Sequence, residues 1–298
     1  MNEIRPSNSD FYVSLDGSGG NLGTKEQPFA SISRAKDAIR EIKQTKKGAV
    51  TVWIRGGTHY LDEPIIFEPA DSGTAEGWIK YAAYPGEKVT LSGGKKLACE
   101  WTSYKEGIWR CEIPEVREGK LAFTQLFING KRQILARYPN ADPSDPKHYT
   151  GYIQAVDKIG DEVRDPHPGP DDDMTFSGGA PRGILFDPNT FSKNQWKNPS
   201  EAIIHIYQSY YWGNLQWQIK DIDWENHHIW FGDGGQQMGA KWSHDPCNVD
   251  GRSRYFIENV FEELDSPGEW YLDKNEGFLY YLPEEDVDLT NAVVEIPV

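Results

Sequence analysis

Three consecutive aromatic residues, Tyr210, Tyr211 and Trp212, stand in a region rich in large rings. Seven of the eleven tryptophans lie between Trp196 and Trp270. Flat aromatic faces can stack on sugar rings, although a small β-domain also needs large rings in its own core. The core is the better explanation for any single ring, but three consecutive rings cannot all face inward. We therefore expect at least one exposed ring, and we predict that Tyr210, Tyr211 and Trp212 bind a sugar substrate.

Acidic residues form two candidate groups for acid–base chemistry. Hydrolysis of a glycosidic bond usually needs two carboxyl groups about 5 to 10 Å apart. Asp221 and Asp223 share one face if their segment is an extended strand, since side chains alternate along a strand. Glu262, Glu263 and Asp265 precede a Ser-Pro-Gly turn. Both groups also fit a solvated strand end or turn, which is the favoured interpretation, and the sequence assigns no catalytic residue.

Metal sites are poorly supported by the spacing of possible ligands. Residues 161–162 and 171–173 offer carboxylate oxygens, but they lack the alternating spacing and fixed glycine of a Ca²⁺ loop. Residues 227–228 are both histidines and His244 lies near Cys247, yet no closed zinc spacing results. We expect neither a metal ion nor a cofactor.

The charge of the chain restricts its partners. The 298 residues carry a formal net charge of −15 and a pI near 4.9. Nucleic acid and anionic membranes both need a basic surface, so neither is an expected partner. The charge also argues against a polyanionic substrate such as pectate, unless a local basic cleft or a metal offsets it. Such acidity suits the solubility of a bacterial protein. The expected partner is an oligo- or polysaccharide, and the oligomeric state stays open.

The termini and cysteines bear on the cellular compartment. No apolar run approaches the ~20 residues that cross a bilayer, and residues 1–6 lack the apolar segment of a signal peptide. The sequence as written predicts a cytoplasmic protein, or a secreted one whose signal was removed. The chain has an odd number of cysteines: Cys99, Cys111 and Cys247. Cys99 and Cys111 flank a predicted hairpin and could pair, but without a secretion signal free thiols are favoured.

The first third of the chain alternates short strands with glycine turns. A strand at residues 11–14 is followed by a glycine-rich turn and then by a helix of about fifteen residues. Ser31 or Ser33 can cap that helix. Its apolar face consists of Ile32, Ala35, Ile39 and Ile42. Four β-rich runs follow, at residues 50–55, 65–68, 79–84 and 89–92.

Longer hairpins replace this pattern after about residue 95. Asn129-Gly130 between two β-rich runs is the strongest short-range hairpin signal, because both turn residues need a positive φ. Further strands are predicted at residues 203–211, 215–222 and 228–231, and a last hairpin joins residues 270–272 to 278–282. We interpret residues 95–283 as an antiparallel β-domain inserted into the structure that the first third begins.

The order of these motifs resembles that of pectate-lyase-like proteins. Phe11-Tyr12-Val13-Ser14, Asp16-Gly17-Ser18 and Pro28-Phe29-Ala30-Ser31-Ile32 are similar to their entry strand and capping helix. Tyr84-Pro85-Gly86-Glu87 and Leu91-Ser92-Gly93-Gly94 continue the likeness. The resemblance is greatest to β-helix glycoside hydrolases of the α-L-fucosidase and xylanase type. It also covers residues 126–139 and 255–283.

This resemblance implies a mainly β protein. Residues 1–94 would be the start of a right-handed parallel β-helix with its N-terminal capping helix. Residues 95–283 would be the inserted antiparallel β-domain, and residues 284–298 a return strand into the β-helix. We expect the chain to be the N-terminal part of a longer enzyme.

The resemblance also implies a role in degrading plant or bacterial polysaccharides. In such hydrolases the catalytic carboxylates lie on later turns of the β-helix, so the isolated chain is expected to be inactive. Two alternatives stay open. The first is a polysaccharide lyase, which abstracts a proton α to a uronate carboxylate. The second is a non-catalytic sugar-binding or structural module.

Overall fold

The computed structural model of the protein describes residues 10–43, 48–75, 77–142, 144–145, 150–162, 180–191, 196–209, 211, 213–235 and 249–297. The fold is mainly β, as predicted. Two compact units can be distinguished: the described part of residues 1–96 and 296–298, and that of residues 97–295. None of the helices in the described ranges is long and apolar enough to span a membrane.

The first unit contains parallel strands and one amphipathic helix. Its elements in chain order are β1 (Phe11–Val13), α1 (Ile32–Ile42), β2 (Val50–Ile54), β3 (Gly57–Tyr60), β4 (Ile79–Ala83) and β5 (Val89–Ser92), with β6 (Gly94–Leu97) at its boundary. Strands β1, β2 and β4 form a parallel sheet in that order, with Val52 opposite both Phe11 and Tyr81. Strands β3 and β5 pair in parallel as well.

Helix α1 covers the apolar core of the first unit. Ser31 is its N-cap, and the Ser31 side chain accepts a hydrogen bond from the Arg34 backbone N–H at 3.1 Å. The helix has 11 residues, fewer than the fifteen or so predicted. Its buried face packs in one cluster with Val13, Phe29 and Val52. That face consists of Ile32, Ala35, Ala38 and Ile39.

The strand predicted at residues 65–68 does not form. That segment is irregular and runs into a single 3₁₀ turn at Pro69–Asp71. The Arg40 guanidinium of α1 bonds Asp71 and also Glu68, the latter at 2.9 Å. A proline at the start of the turn and this ionic anchor to the helix therefore outweigh the β-propensity of the apolar run.

The second unit holds the other elements. They are β7 (Thr102–Lys105), β8 (Ile108–Glu112), α2 (Pro114–Arg117), β9 (Phe127–Ile128), β10 (Lys131–Arg132), β11 (Ile134–Leu135), β12 (Arg137–Tyr138), β13 (Ile153–Gln154), β14 (Asp157–Glu162), β15 (Ala180–Leu185), β16 (Ile203–Tyr207), β17 (Asn214–Asp223), β18 (His228–Gly234), β19 (Arg254–Glu258), β20 (Glu269–Asp273), β21 (Phe278–Tyr281) and, at its boundary, β22 (Val294–Pro297). Apart from the parallel pair β11–β20, strand pairs with both partners in the described part of this unit are antiparallel.

The largest sheet of this unit runs β12-β19-β16-β17-β18-β15-β14, with β13 also paired to β19. Its inner face is a continuous apolar core that includes Ile204, Trp217, Tyr255 and Ile257. Burial alternates strictly along β16 and β19. The opposite face of the same strands is therefore open to carry other chemistry.

Two predicted hairpins are confirmed. Asn129 and Gly130 have φ of +52° and +75° and join β9 to β10. The last hairpin joins β20 to β21, with Trp270 opposite Tyr281. These strands belong to a second sheet, ordered β11-β20-β21-β8-β7. Strand β22 begins with Val294 paired to Ile128 of β9.

Both described cysteines, Cys99 and Cys111, are free thiols, as the sequence favoured. The two thiols are hydrogen-bonded to each other, so the side chains lie close together. That hydrogen bond and burial raise the pKa of Cys99, so this thiol stays protonated at neutral pH.

Candidate functional site

The outward face of β16 and β19 carries mainly rings and charges, with Ile203 as an aliphatic exception. Ile204 and Ile206 of β16 point into the core, so His205 and Tyr207 lie on the other side. Strand β19 alternates in the same way. We call this surface the aromatic–arginine face; it consists of Arg137, Tyr152, His205, Tyr207, Tyr211, Arg254, Phe256 and Glu258.

The register of β16 and β19 brings His205 against two partners. His205 is directly opposite Phe256, and the two rings stack with centroids 4.4 Å apart and planes 9° apart. The His205 Nε2 atom lies 2.8 Å from Glu258 Oε1. Glu258 is also opposite Arg137 of β12. The ring and the carboxylate thus fix the imidazole from two directions.

Two arginines lie over the rings of this face. The Arg254 guanidinium is 4.6 Å from the Tyr152 centroid and 4.8 Å from the centroids of Tyr207 and Tyr211. The Arg137 guanidinium is 3.7 Å from the Phe256 centroid. Cation–π contacts of this kind contribute about 0.5–1 kcal/mol at exposed positions and more when water is excluded. They hold the rings and the guanidinium groups in a fixed array.

Burial tunes the titrating groups of the face. It lowers the pKa of Arg137, which remains charged at neutral pH. Burial also raises the pKa of Tyr152, and a hydrogen bond between the hydroxyls of Tyr152 and Tyr207 adds to this shift. The face therefore combines neutral phenols, which can hydrogen-bond a hydroxyl-rich ligand, with the positive charge of two guanidinium groups. The Arg137 guanidinium also donates to the carbonyl oxygens of Pro139 and Gly151.

Tyr211 is the predicted binding residue that the structure describes. Its side chain is 51% exposed, and its hydroxyl donates to the Arg252 carbonyl oxygen at 3.0 Å. Its φ of +60° is rare for a residue other than glycine. Tyr210 and Trp212 lie outside the described residues. Contact between these three rings and a sugar stays a prediction.

The acidic residues weighed from the sequence have local structural roles. Asp223 caps a turn, accepting the Asn226 backbone N–H at 2.9 Å, and its hydrogen bonds with Asn226 lower its pKa. Asp221 accepts the backbone N–H of the next residue. Glu263 is buried and accepts the indole N–H of Trp196 at 2.8 Å. The contacts of Asp221 and Asp223 match the strand-end interpretation that the sequence favoured, whereas burial of Glu263 differs from the solvated turn residue that was expected.

The described ranges contain no group of three or more His, Cys, Asp or Glu side chains that could hold a metal ion. Asp161 and Glu162 end β14. Residues 171–173, His244 and Cys247 lie outside those ranges.

Sequence reasoning did not single out His205, Arg254 or Phe256. The signal was present as alternation: an apolar residue follows each of His205 and Phe256 in strands whose other face is aliphatic. What the sequence lacked was the pairing of β16 with β19, which are separated by about 50 residues. Only the register makes His205 and Phe256 neighbours.

The sequence matches no protein-family model and no curated protein. Two solved structures are matched, to very different degrees. A chain described as "Glycoside hydrolase" is matched with a TM-score of 0.72 at 22% identity, over 97% of this chain and 46% of that one. The chain thus has the fold of slightly less than half of that structure.

A complex of XylC with xylose is matched over 93% of this chain and 33% of that one, at 14% identity and a TM-score of 0.26. A likeness this weak carries no weight.

Proposed function

We propose that this chain is the N-terminal part of a longer polysaccharide-degrading glycoside hydrolase and that its second unit binds the sugar. The observation that carries the proposal is the fold likeness over 97% of the chain to 46% of a structure described as "Glycoside hydrolase". The catalytic carboxylates would then belong to the remainder of the enzyme.

The first unit would begin a right-handed parallel β-helix that α1 caps. Parallel pairing of β1, β2 and β4, and of β3 and β5, supports this assignment. Residues 95–283 would be a domain inserted into that helix, and residues 284–298 would return to it. A stack of parallel strands needs its open end covered, and an amphipathic helix packed on β1 and β2 meets that need.

The aromatic–arginine face would contact the polysaccharide through Tyr211, together with the predicted partners Tyr210 and Trp212. Rings can stack on the C–H faces of sugars, and the imidazole, phenol and guanidinium groups can bond their hydroxyls. The half-exposed ring of Tyr211 is the natural contact, because a buried ring offers no free face.

Titration calorimetry with xylo- and cello-oligosaccharides tests this role. We expect Tyr211→Ala to weaken binding about fivefold to tenfold and Tyr211→Phe to change it little, since stacking on one ring accounts for about 1–1.4 kcal/mol. Trp78→Ala removes another exposed ring, 42% accessible, from the first unit and serves as the control. Equal loss in the Tyr211 and Trp78 variants would contradict a specific role for this face.

A polysaccharide lyase acting on uronates is the second candidate. The two arginines over the rings favour it, because they form a local basic surface in a chain of net charge −15. Tighter binding of oligogalacturonides than of neutral oligosaccharides would support this candidate. A product absorbing in the ultraviolet from the longer enzyme would identify the unsaturated sugar that a lyase leaves.

A further inference from the structure

A separate cavity of about 220 Å³ opens in the second unit, beside its five-stranded sheet. We call it the Tyr104 pocket. It is smaller than the ~300 Å³ at which pockets for drug-sized ligands begin. A single sugar ring is therefore a better match to its size than an oligosaccharide. Its lining includes Tyr104, Lys197, Asn259, Glu262, Tyr271 and Asp273.

Tyr104 reaches this pocket because of an irregularity in an edge strand. Strand β7 is the last strand of its sheet, and its register with β8 shifts between Ser103 and Lys105. Tyr104 is thus the extra residue of a β-bulge, a feature that redirects a side chain and is common beside functional sites. The Tyr104 side chain is 40% exposed.

Four rings form the apolar wall of the pocket. Tyr104 stands edge-on to Tyr280 at 5.2 Å, and Phe261 lies 5.0 Å from Tyr280 and 5.3 Å from Tyr271. The inner three rings are packed against one another, whereas Tyr104 is the exposed ring of the wall. The Arg110 guanidinium and the Lys105 ammonium lie 5.2 Å and 5.7 Å from its centroid. A sugar can stack on the accessible part of this ring through its C–H groups.

Polar groups also line the pocket, and Glu262 Oε1 accepts the Lys197 backbone N–H at 3.2 Å. The Tyr271 hydroxyl donates to Glu201 Oε2 at 2.9 Å. Burial is the main cause that raises the pKa of Tyr271, and the hydrogen bond to Glu201 and the charges of Glu201, Asp273 and Glu262 add to it. Asp273 uses Oδ1 for two turn N–H groups, and no group within the described residues bonds its Oδ2.

The backbone around the pocket is also unusual. Asn259 has a φ of +65°, and its side-chain amide donates to the Glu201 carbonyl oxygen at 2.8 Å. Residues held in the left-handed region are frequent at ligand sites. The Lys197 ammonium adds a donor to the lining.

From this geometry we infer that the Tyr104 pocket binds one neutral pyranose, stacked on Tyr104, with its hydroxyls donating to Asp273 and Glu262 and accepting from Lys197. The choice of a sugar rests on the proposed function, whereas the pocket itself does not. Carboxylates accept hydrogen bonds from hydroxyls and repel a uronate, whereas Lys197 in the lining and Lys105 and Arg110 at Tyr104 attract one. A lining of mixed charge suits a neutral sugar, which needs hydrogen-bond donors and acceptors and brings no charge of its own.

Saturation-transfer NMR on the full 298-residue chain tests this inference. The probes are methyl β-D-xylopyranoside, methyl β-D-glucopyranoside and methyl β-D-glucuronide. We expect the neutral glycosides to bind and Tyr104→Ala to weaken them about tenfold, while Tyr104→Phe binds within about twofold of the wild type. Asp273→Asn keeps the turn and should weaken binding several-fold. Circular dichroism confirms that each variant is folded.

Tyr211→Ala separates the two sites. If this substitution abolishes oligosaccharide binding while the Tyr104 variants bind the methyl glycosides normally, the inference about the Tyr104 pocket is overturned and the proposed function stands. If the Tyr104 variants lose the monosaccharides and Tyr211→Ala changes nothing, the pocket stands and the role of the face fails. Preference for the glucuronide, or no binding of any probe at 50 mM or so, overturns the inference.

Discussion

Tyr211 combines an exposed ring with a backbone conformation that tyrosine rarely adopts. A φ of +60° costs a residue with a Cβ about 1 kcal/mol or more relative to glycine. The surrounding contacts hold it there, among them the bond from its hydroxyl to the Arg252 carbonyl oxygen and the Arg254 guanidinium 4.8 Å from its ring. A ring presented at such a cost is typical of a binding position.

Replacing Tyr211 with glycine should therefore separate stability from binding. We expect Tyr211→Gly to melt close to the temperature of the wild type, since relief of the strained φ offsets the lost hydrogen bond and cation–π contact. The same variant should bind oligosaccharides about tenfold more weakly. Thermal unfolding and calorimetry measure the two effects. The control is Tyr207→Ala. Tyr207 lies in a regular strand, so its replacement relieves no backbone strain, and this variant should lose stability as well as binding.

Glu269 is a buried acid whose ionisation opposes folding. Its side chain is 2% exposed and accepts backbone N–H groups from Asp265 at 3.2 Å and Ser266 at 3.1 Å. Burial, the largest cause, raises its pKa to about 8. An unfolded chain releases this proton near its ordinary pKa of about 4.3. Between these two values the folded state binds more protons, so stability is lost as the pH rises towards 8.

We therefore expect Glu269→Gln to flatten the pH dependence of stability. The amide keeps an acceptor for the two backbone N–H groups and never ionises. The variant should match the wild type near pH 5 and melt at a higher temperature at pH 8.5. Thermal unfolding across this range measures the difference, with exposed Glu276→Gln as the control. A wild type whose stability rises between pH 5 and 8 through this residue would contradict the assignment.

At the scale of elements, the N-cap of α1 offers a matched pair of serines. The sequence left Ser31 and Ser33 open, and the structure assigns the cap to Ser31, whose side chain accepts the Arg34 N–H. We expect Ser31→Ala to lower the free energy of unfolding by about 1 kcal/mol. Ser33→Ala, exposed on the first turn, should change it by only a few tenths. Denaturant titration compares them, and equal losses would refute the assignment.

Elements with local determinants were predictable. The Asn129-Gly130 turn and the apolar period of α1 act over a few residues, so their signal is complete in the sequence. Residues 65–68 show the limit. There the ion pair between Arg40 and Asp71, which are about 30 residues apart, outweighs the β-propensity of the segment. Such an ion pair cannot be inferred until the path of the chain is known.

The candidate site was predictable only in part, for the same reason. Tyr211 was accessible to sequence reasoning because three consecutive rings exceed what one core face can hold. The contacts of Arg254 with Tyr152 and of Arg137 with Phe256 depend on the pairing of β12 and β13 with β19. The bulge that redirects Tyr104 leaves no clear mark in the sequence, since it is a mismatch of register between two strands.

At the scale of the whole molecule, the local charge of some surfaces differs from the net charge of the chain. The chain has a net charge of −15, yet the aromatic–arginine face carries Arg137 and Arg254 and the Tyr104 pocket carries Asp273 and Glu262. A uniform acidic surface would repel every anionic sugar alike. The Tyr104 pocket also includes Lys197, and this uneven distribution of charge would give the two proposed sugar sites different preferences.

The last prediction concerns catalysis by the chain as a whole. The structure that it resembles is about twice as long, because this chain spans 46% of it. The acidic residues considered from the sequence serve turns and core contacts, as Asp223 and Glu263 do. We therefore expect the 298-residue chain to bind oligosaccharides without hydrolysing them. Reducing-sugar release and product chromatography from xylan and cellulose oligomers measure turnover.

A longer protein that contains this chain should hydrolyse the same oligomers, and there Asp221→Asn and Asp223→Asn should leave kcat unchanged. A chain of 298 residues that releases sugar, and loses this activity in either aspartate variant, would contradict the assignment of catalysis to the remainder of the enzyme. Since Asp223 caps a turn, thermal unfolding must accompany the assay. A loss of activity without a loss of stability then identifies a catalytic carboxylate rather than a structural one.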